Sequence, residues 1–163
     1  MNFNRNIGKL DIIMGTMFSG KTSYLLNKIK PKTIIEFGTR TGGLSILLQL
    51  YSIYHNCKFI TYDVQDVPHI PAYKELFIKL DIDFRRQDIF APSVIENISD
   101  TINSTEGKTI LFCDAGKYLE FNIYTDKLKK GDIALCHDYF KDRETFDFAI
   151  NSSLFPLLKL AFF

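Results

Sequence analysis

The most constraining feature of this sequence is a regular alternation of short apolar runs with longer amphipathic segments. The apolar runs predict strands at residues 10–13, 33–37, 59–62, 83–86, 109–113 and 132–136. The other segments have apolar residues at helical spacing and predict helices at residues 22–29, 44–54, 71–80, 93–102, 119–128 and 141–152. Strands that alternate with helices in this way form βαβ units, so we expect a mostly parallel sheet with helices on both faces.

The composition suits a single domain of this α/β class, since 163 residues is a usual length for one. Twenty basic and nineteen acidic side chains give a net charge of +1, so no overall field draws the protein to nucleic acid or to a membrane. The three cysteines form no C-x-x-C pair, which argues against structural zinc and suits a reducing compartment. No apolar run reaches the roughly 18 residues of a membrane span, and we expect a cytoplasmic protein without membrane contact.

Residues 36–45, EFGTRTGGLS, join an acidic strand end to a glycine-rich turn and the start of a helix. Glycine lets the backbone approach a ligand closely, and the amides at a helix N-terminus carry partial positive charge. The next predicted strand ends at Asp63, about 20 residues beyond the turn, a separation typical of a carboxylate that accepts hydrogen bonds from ribose hydroxyls. The turn and the acid together indicate a nucleoside-containing cofactor, bound beyond the carboxyl ends of the strands.

Acidic residues also follow three later strands. Asp88 follows the strand predicted at residues 83–86, where it could accept a hydrogen bond from an adenine amino group. Asp114 and the pair His137-Asp138 end the next two strands, and at neighbouring strand ends they could share a divalent cation such as Mg²⁺. His137 could also act as a general base. The alternative for each aspartate alone is a helix cap or a solvated loop.

In this order, the segments EFGTRTGGLS, FITYD, RRQDIF and TILFCDAG resemble the class I S-adenosylmethionine-dependent methyltransferases. The segment GDIALCHDY resembles the fifth-strand end of small-molecule O-methyltransferases and of cephalosporin-hydroxylase-like relatives. The resemblance covers residues 31–150 and implies a Rossmann-like three-layer sandwich. The chain departs from it at Arg40, where many members have a glycine, and in lacking most of the last two strands.

The resemblance also implies a role for each matching residue. Gly38, Gly42 and Gly43 would lie behind the methionine part of S-adenosylmethionine, Asp63 would bind its ribose, and Asp88 would lie beside its adenine. The cofactor-binding residues predicted in this way are Glu36, Gly38, Gly42, Gly43, Ser45, Asp63 and Asp88. The predicted catalytic residues are Asp114, His137 and Asp138, which are also the predicted Mg²⁺ ligands.

A second motif competes with this interpretation. Residues 15–22, GTMFSGKT, match G-x-x-x-x-G-K-[ST] between an apolar strand and a helix. In such a loop Gly15, Gly20, Lys21 and Thr22 would bind the phosphates of ATP and its Mg²⁺. Residues 8–29 resemble the N-terminus of type II thymidine kinases, although the chain lacks the paired cysteines of their zinc site. The alternative is a leader whose helix simply packs on the sheet.

The function predicted from the sequence is methyl transfer from S-adenosylmethionine to an oxygen or nitrogen nucleophile, most simply on a small molecule. The alternatives are a P-loop nucleotide-binding protein or thymidine-kinase-like phosphotransferase, and a non-catalytic nucleotide-binding remnant. We expect one domain, with a strand–helix leader at residues 1–30 and a methyltransferase-like core at residues 31–163. The apolar segment at residues 154–163 predicts a homo-oligomer interface.

Overall fold

Helices and strands alternate along the residues that the computed structural model describes, which are 20–66, 68–116, 118–136 and 161–162. The helices are α1 (Lys21–Ile29), α2 (Gly43–His55), α3 (Pro71–Lys79), α4 (Pro92–Ser104) and α5 (Tyr118–Tyr124), with a 3-10 turn at Thr125–Lys127. The strands are β1 (Thr33–Phe37), β2 (Lys58–Asp63), β3 (Asp83–Arg86), β4 (Thr109–Cys113), β5 (Ile133–Cys136) and β6 (Ala161–Phe162).

The strands form one sheet in the order β3-β2-β1-β4-β5-β6, and every pair of neighbours is parallel. Phe37, the last residue of β1, pairs with Tyr62 on one side and with Cys113 on the other, so the carboxyl ends of the three central strands are level. The predicted Rossmann-like α/β fold is confirmed. The prediction that the usual last strands are missing falls largely on residues 137–160, which lie outside the described residues.

The two central strands are buried along their whole length. All five positions of β1 and all five of β4 are buried. Both strands consist mainly of consecutive apolar residues and do not alternate between apolar and polar residues, because helices cover both faces of a parallel sheet. Glu36 is the single carboxylate within these two strands, and its burial marks it as a residue that requires polar partners.

Successive residues of each strand supply two separate cores. On one face, Ile34 packs in a cluster with Leu26 of α1 and Leu48 of α2. On the other face, Ile35 packs in a cluster with Ile98 of α4 and Tyr124 of α5. Each such buried aliphatic side chain stabilises the fold by roughly 1.5–3 kcal/mol. This packing holds the helices against the sheet, so the turns that connect helices to strands lie at the two ends of the strands.

The sequence predicts β1, β3 and β4 with the bounds they have, but the helix predicted at residues 119–128 is wrong at its end. There the α-helix ends at Tyr124 and the chain continues as the 3-10 turn. The strand predicted at residues 10–13 and the helix predicted at residues 141–152 lie outside the described residues. Within the described ranges, none of the helices is both long enough and apolar enough to cross a membrane.

Candidate functional site

The strand order reverses between β1 and β4, and the candidate site lies beyond the carboxyl ends of these strands. Gly38 directly follows β1, Asp63 ends β2, and Asp114 directly follows β4. The N–H of Gly38 donates to the carbonyl of Tyr62 (2.9 Å), and the N–H of Asp114 donates to the carbonyl of Phe37 (3.0 Å). The glycine-rich turn and both aspartates therefore lie at one level, where open α/β sheets bind ligands.

Two glycines of the turn are required by its packing. Gly38 has φ +92°, and a Cβ there would lie 2.9 Å from the carbonyl carbon of Asp114. Gly42 has φ +83°, and a Cβ there would lie 2.7 Å from the ring of Phe77. A Cβ on Gly43 would meet, among the described residues, nothing nearer than Tyr73 at 3.9 Å. Gly43 is thus the glycine of the three with space beside it, and the predicted contact of all three with the cofactor stays a prediction.

Helix α2 begins at this turn without a side-chain cap. Gly42 is its N-cap and makes no side-chain cap hydrogen bond, and the first turn holds no acidic residue. The first N–H groups of a helix have no partner within it and carry partial positive charge. This end of α2 is therefore suited to an anionic group such as a carboxylate.

Glu36 is buried beneath the turn and holds it in place. The hydroxyl of Ser45 donates to Oε2 of Glu36 (2.5 Å), and the hydroxyls of Thr39 and Thr61 share a hydrogen bond of 2.6 Å beside it. Burial raises the pKa of Glu36 to about 7; hydrogen bonds from Ser45 and Thr61 oppose the shift, and the charges of Asp114 and Asp63 add to it. Ser45, in the first turn of α2, and Glu36, in β1, bind each other, and this contact holds the start of the helix against the strand. Their predicted contact with the cofactor is untested.

Asp63 joins the glycine-rich turn to the end of β2. Its Oδ2 accepts from the N–H of Arg40 (3.0 Å), and its Oδ1 accepts from the N–H of Gln65 (2.9 Å). Arg40, with φ +50°, takes a left-handed conformation where many members of the resembled family have a glycine. Each carboxylate oxygen retains a second lone pair, so Asp63 can still accept from a ligand hydroxyl. Its predicted contact with ribose is compatible with this geometry.

The loops after β3 and β4 meet on the other side of the site. Asp88 is exposed, and its Oδ1 accepts from the N–H of Phe90 (2.9 Å). The ring of Phe90 lies against Gly116, where an added Cβ would come within 3.0 Å of it. Asp88 thus makes the loop contact that any aspartate can make, and its carboxylate is exposed two residues before an aromatic side chain.

Helix α5 holds both of these loops through two buried residues that the sequence analysis did not select. The N–H of Gly116 donates to Oε1 of Glu120 (2.5 Å), and the hydroxyl of Tyr124 donates to the carbonyl of Ile89. Burial raises the pKa of Tyr124 well above its usual range, so its hydroxyl stays protonated and can donate. Their spacing of four residues on one helix was the sequence signal that could have indicated a shared role.

Of the three residues predicted to be catalytic and to bind Mg²⁺, the structure describes Asp114, which follows β4 and is half-buried. His137 and Asp138 lie outside the described residues. Within the ranges that are described, no group of three His, Cys, Asp or Glu side chains could hold a metal ion. The Mg²⁺ site therefore stays a prediction.

The predicted phosphate loop is described from Gly20 onward, and Gly15 lies outside the described residues. Gly20 is the N-cap of α1 with φ +75°, and Lys21 and Thr22 begin the helix. Through Leu25 and Leu26, α1 packs against the sheet. This packing agrees with the alternative interpretation, in which the segment is a leader whose helix simply packs on the sheet.

The family model described as "Rhamnosyl O-methyltransferase/CmcI" matches residues 17–143, which is most of the chain and includes strands β1 to β5 with Gly38, Asp63, Asp88 and Asp114. The match includes Lys21 and Thr22, and nothing in the comparisons supports a thymidine-kinase segment. A search of curated proteins finds no match. A solved structure from Mesorhizobium loti, described as an NADPH:quinone reductase, has 6% identity and a TM-score of 0.49, and the similarity covers 93% of this chain and 44% of that one.

Proposed function

This chain belongs to the rhamnosyl O-methyltransferase/CmcI family, and we propose that it methylates a hydroxyl oxygen of a small molecule with S-adenosylmethionine as the donor. As a member of this family the chain is a methyltransferase. The proposal rests on one observation, which is that the predicted cofactor-binding and catalytic residues that the structure describes lie close together in the fold. The glycine-rich turn, Asp63 and Asp114 lie within the matched residues and meet at the point where the strand order reverses.

The donor set around the turn fits the polar groups of S-adenosylmethionine. The uncapped start of α2 would receive the carboxylate of the methionine part, since both the N–H groups and the helix dipole favour an anion. Gly43 has no close contact on this side, since an added Cβ would come no nearer than 3.9 Å to Tyr73. The free lone pairs of Asp63 would accept from the ribose hydroxyls, while its bonds to Arg40 and Gln65 keep the carboxylate in one orientation.

The adenine would lie between the loops after β3 and β4. Asp88 would accept from the adenine amino group, and the ring of Phe90 would contribute an apolar surface beside it. Glu120 and Tyr124 would keep these loops in place from α5 without contacting the ligand themselves.

When bound, S-adenosylmethionine supplies an electrophilic methyl group, which leaves its sulfonium sulfur for the acceptor oxygen. The chain's part is to hold the acceptor hydroxyl in line with that methyl group, since positioning supplies much of the rate, and to remove the hydroxyl proton. Asp114 is the described residue best placed to accept this proton, because it is half-buried at the end of β4 and level with the glycine-rich turn. His137 and Asp138 are the alternatives at the next strand end, either as base or with Asp114 as Mg²⁺ ligands.

Isothermal titration of the full chain with S-adenosylmethionine tests the donor. We expect saturable binding, and we expect Asp63→Ala to weaken it by roughly tenfold or more, because loss of hydrogen bonds to a charged group costs about 1.5–3 kcal/mol. Asp100→Ala, on the exposed face of α4, is the matched control and should bind as the wild type does. A folded protein that binds no S-adenosylmethionine would refute the proposal.

The two other functions considered from the sequence give different results with the same protein. A phosphotransferase would bind ATP and lose that binding in Lys21→Ala, with no response to S-adenosylmethionine. A non-catalytic remnant would bind the donor but consume none of it with any hydroxyl acceptor offered. Donor consumption that stops on chelation and returns with Mg²⁺ would favour the metal-dependent form of the reaction.

A further inference from the structure

A row of lysines lies at the amino-terminal edge of the sheet, opposite the candidate site. Lys32 directly precedes β1, Lys58 begins β2, and Lys108 directly precedes β4. The N–H of Lys58 donates to the carbonyl of Lys32 (2.9 Å), and the N–H of Lys32 donates to the carbonyl of Lys108 (2.8 Å). With Lys30 after α1 and Lys130 before β5, these residues form the lysine edge, and all five are exposed.

Nearby acidic groups do not neutralise the lysine edge. The carboxylate of Asp132 accepts from the N–H of Thr109 (2.7 Å) and from the N–H of Lys129 (2.8 Å), so these backbone groups orient its charge. Glu106, Asp81 and Asp83 are exposed acids at the same end of the sheet, and Asp83 forms an ion pair with Arg85, so the five lysines still outnumber the acids. Within the described part of the chain, no ion pair joins any of the five lysines to a carboxylate. The edge therefore keeps a clear excess of positive charge.

Stability of the fold does not explain this row. Lysines near a helix C-terminus interact favourably with the helix dipole, which accounts for Lys30 after α1. Lys32, Lys58 and Lys108 instead stand at the starts of adjacent strands, which run about 4.8 Å apart. Lys32 and Lys108 stand at matching positions, each one residue before the paired residues Thr33 and Thr109, and like charges opposite each other destabilise a sheet. An anionic partner is what would offset this repulsion.

Apolar side chains are exposed at the same edge. Helices α2 and α3 run antiparallel to the strands, so their last turns lie beside the lysine edge. Ile53 is 59% exposed and Tyr54 is 85% exposed in the last turn of α2, and Ile78 is 76% exposed in the last turn of α3. Exposed apolar side chains beside a basic surface combine the two signals by which a protein binds reversibly to a lipid surface.

We propose that the lysine edge docks the protein on the surface of an anionic lipid bilayer, with Ile53 and Tyr54 entering its interfacial region. Lysine clusters attract anionic headgroups as diffuse positive charge. A nucleic-acid surface fits less well, because the lysine edge contains no arginine for bidentate contacts and, of the three exposed apolar side chains, Tyr54 alone has a ring on which a base could stack.

Docking in this orientation keeps the candidate site away from the bilayer. The site lies at the opposite ends of the same strands, and a strand of five residues such as β1 spans about 17 Å. The inference does not depend on the proposed methyl transfer, since it rests on a different edge of the sheet.

Co-sedimentation of the full chain with vesicles tests the proposal. We expect binding to phosphatidylcholine vesicles that contain one third phosphatidylserine and none to phosphatidylcholine alone. Lys58→Glu/Lys108→Glu should weaken binding by at least about 25-fold, since each lysine near the surface contributes roughly fivefold. The control Lys74→Glu/Arg86→Glu makes the same change in net charge away from the lysine edge and should bind as the wild type does.

A second pair of variants tests the apolar part. Ile53→Ser/Tyr54→Ser should weaken vesicle binding, whereas Leu47→Ser, an exposed position in the first half of the same α2, should not. Circular dichroism checks that each variant is folded. Three results would each overturn the proposal. They are an equal loss of vesicle binding in both double charge reversals, unchanged vesicle binding of Ile53→Ser/Tyr54→Ser, and tighter binding to single-stranded DNA than to the anionic vesicles.

Discussion

Glu120 and Tyr124 lie one helical turn apart on α5, and each holds a different loop of the candidate site. Glu120 accepts from the N–H of Gly116 in the loop after β4, while Tyr124 donates to the carbonyl of Ile89 in the loop after β3. Asp114 and Asp88 stand on these two loops. One short helix thus sets the relative positions of two aspartates that are far apart in the chain.

We expect Glu120→Ala to loosen the loop after β4 and Glu120→Gln to keep it. The alanine variant leaves the N–H of Gly116 without its acceptor, which should lower the free energy of unfolding by about 1–3 kcal/mol. The glutamine carbonyl can accept the same bond. Urea unfolding and titration with S-adenosylmethionine check this. If Glu120→Ala binds the donor as tightly as Glu120→Gln does, the loop does not depend on this contact.

Tyr124→Phe keeps the aromatic ring but removes the hydroxyl that holds Ile89. The carbonyl of Ile89 then loses a buried partner, and we expect the free energy of unfolding to fall by about 1 kcal/mol or more. We also expect a higher KM for the donor with a smaller change in kcat, because the effect acts through the loop that carries Asp88. Tyr54→Phe is the control, since Tyr54 is almost fully exposed. A Tyr124→Phe protein with unchanged stability and KM would contradict this prediction.

Gly38→Ala should destabilise the fold far more than Gly43→Ala. At Gly38 the new Cβ combines a φ of +92° with a contact of 2.9 Å to the backbone of Asp114, and the cost should be about 2 kcal/mol or more. At Gly43 the space is open and the residue is helical, so alanine should leave stability unchanged or slightly raised. Thermal unfolding measures both. Weaker donor binding in a stable Gly43→Ala protein would support the predicted contact of Gly43 with the cofactor.

The burial of Glu36 should make stability depend on pH. Its pKa rises from an ordinary 4.5 to about 7, so between these values the folded chain holds a proton that the unfolded chain has released. The free energy of unfolding should therefore fall as pH rises through this window, by up to about 3 kcal/mol, and level off above it. Urea unfolding at about pH 5 and about pH 8 measures the slope.

Glu36→Gln should remove this contribution, because the neutral amide has no proton to release. The variant should therefore gain on the wild type as pH rises, and Glu96→Gln on the exposed face of α4 should run parallel to the wild type. Parallel curves for Glu36→Gln and the wild type would show that Glu36 does not titrate in this range.

The order of strands and helices could be predicted from the sequence because it depends on local periodicity and on turn residues. The acids at the strand ends followed from it, because the carboxyl ends of parallel strands meet at one edge. Their partners did not follow. The bond between Thr39 and Thr61 crosses 22 residues of chain, and that between Tyr124 and Ile89 crosses 35. Such contacts depend on how helices pack, which periodicity does not determine.

The net charge of +1 was also a poor guide to the surface. It counts all charges together and does not show where they lie, whereas the fold brings Asp63, Asp88 and Asp114 to one end of the sheet and five lysines to the other. The absence of an overall field therefore left open a strongly charged local face. The expectation of a protein without membrane contact rested on that total and on the lack of an apolar run long enough to span a membrane, and the vesicle experiment tests it directly.

The parallel pairing of β1 sets the order in which the sheet can assemble during synthesis. Thr33 pairs with Lys58 on one side but with Thr109 on the other, so one edge of β1 can be covered early while the second waits for a much later part of the chain. Closing the longer loop costs more entropy and makes folding slower. Until β4 emerges, the nascent chain exposes an apolar strand edge, and this interval is where it is most open to aggregation or to a chaperone.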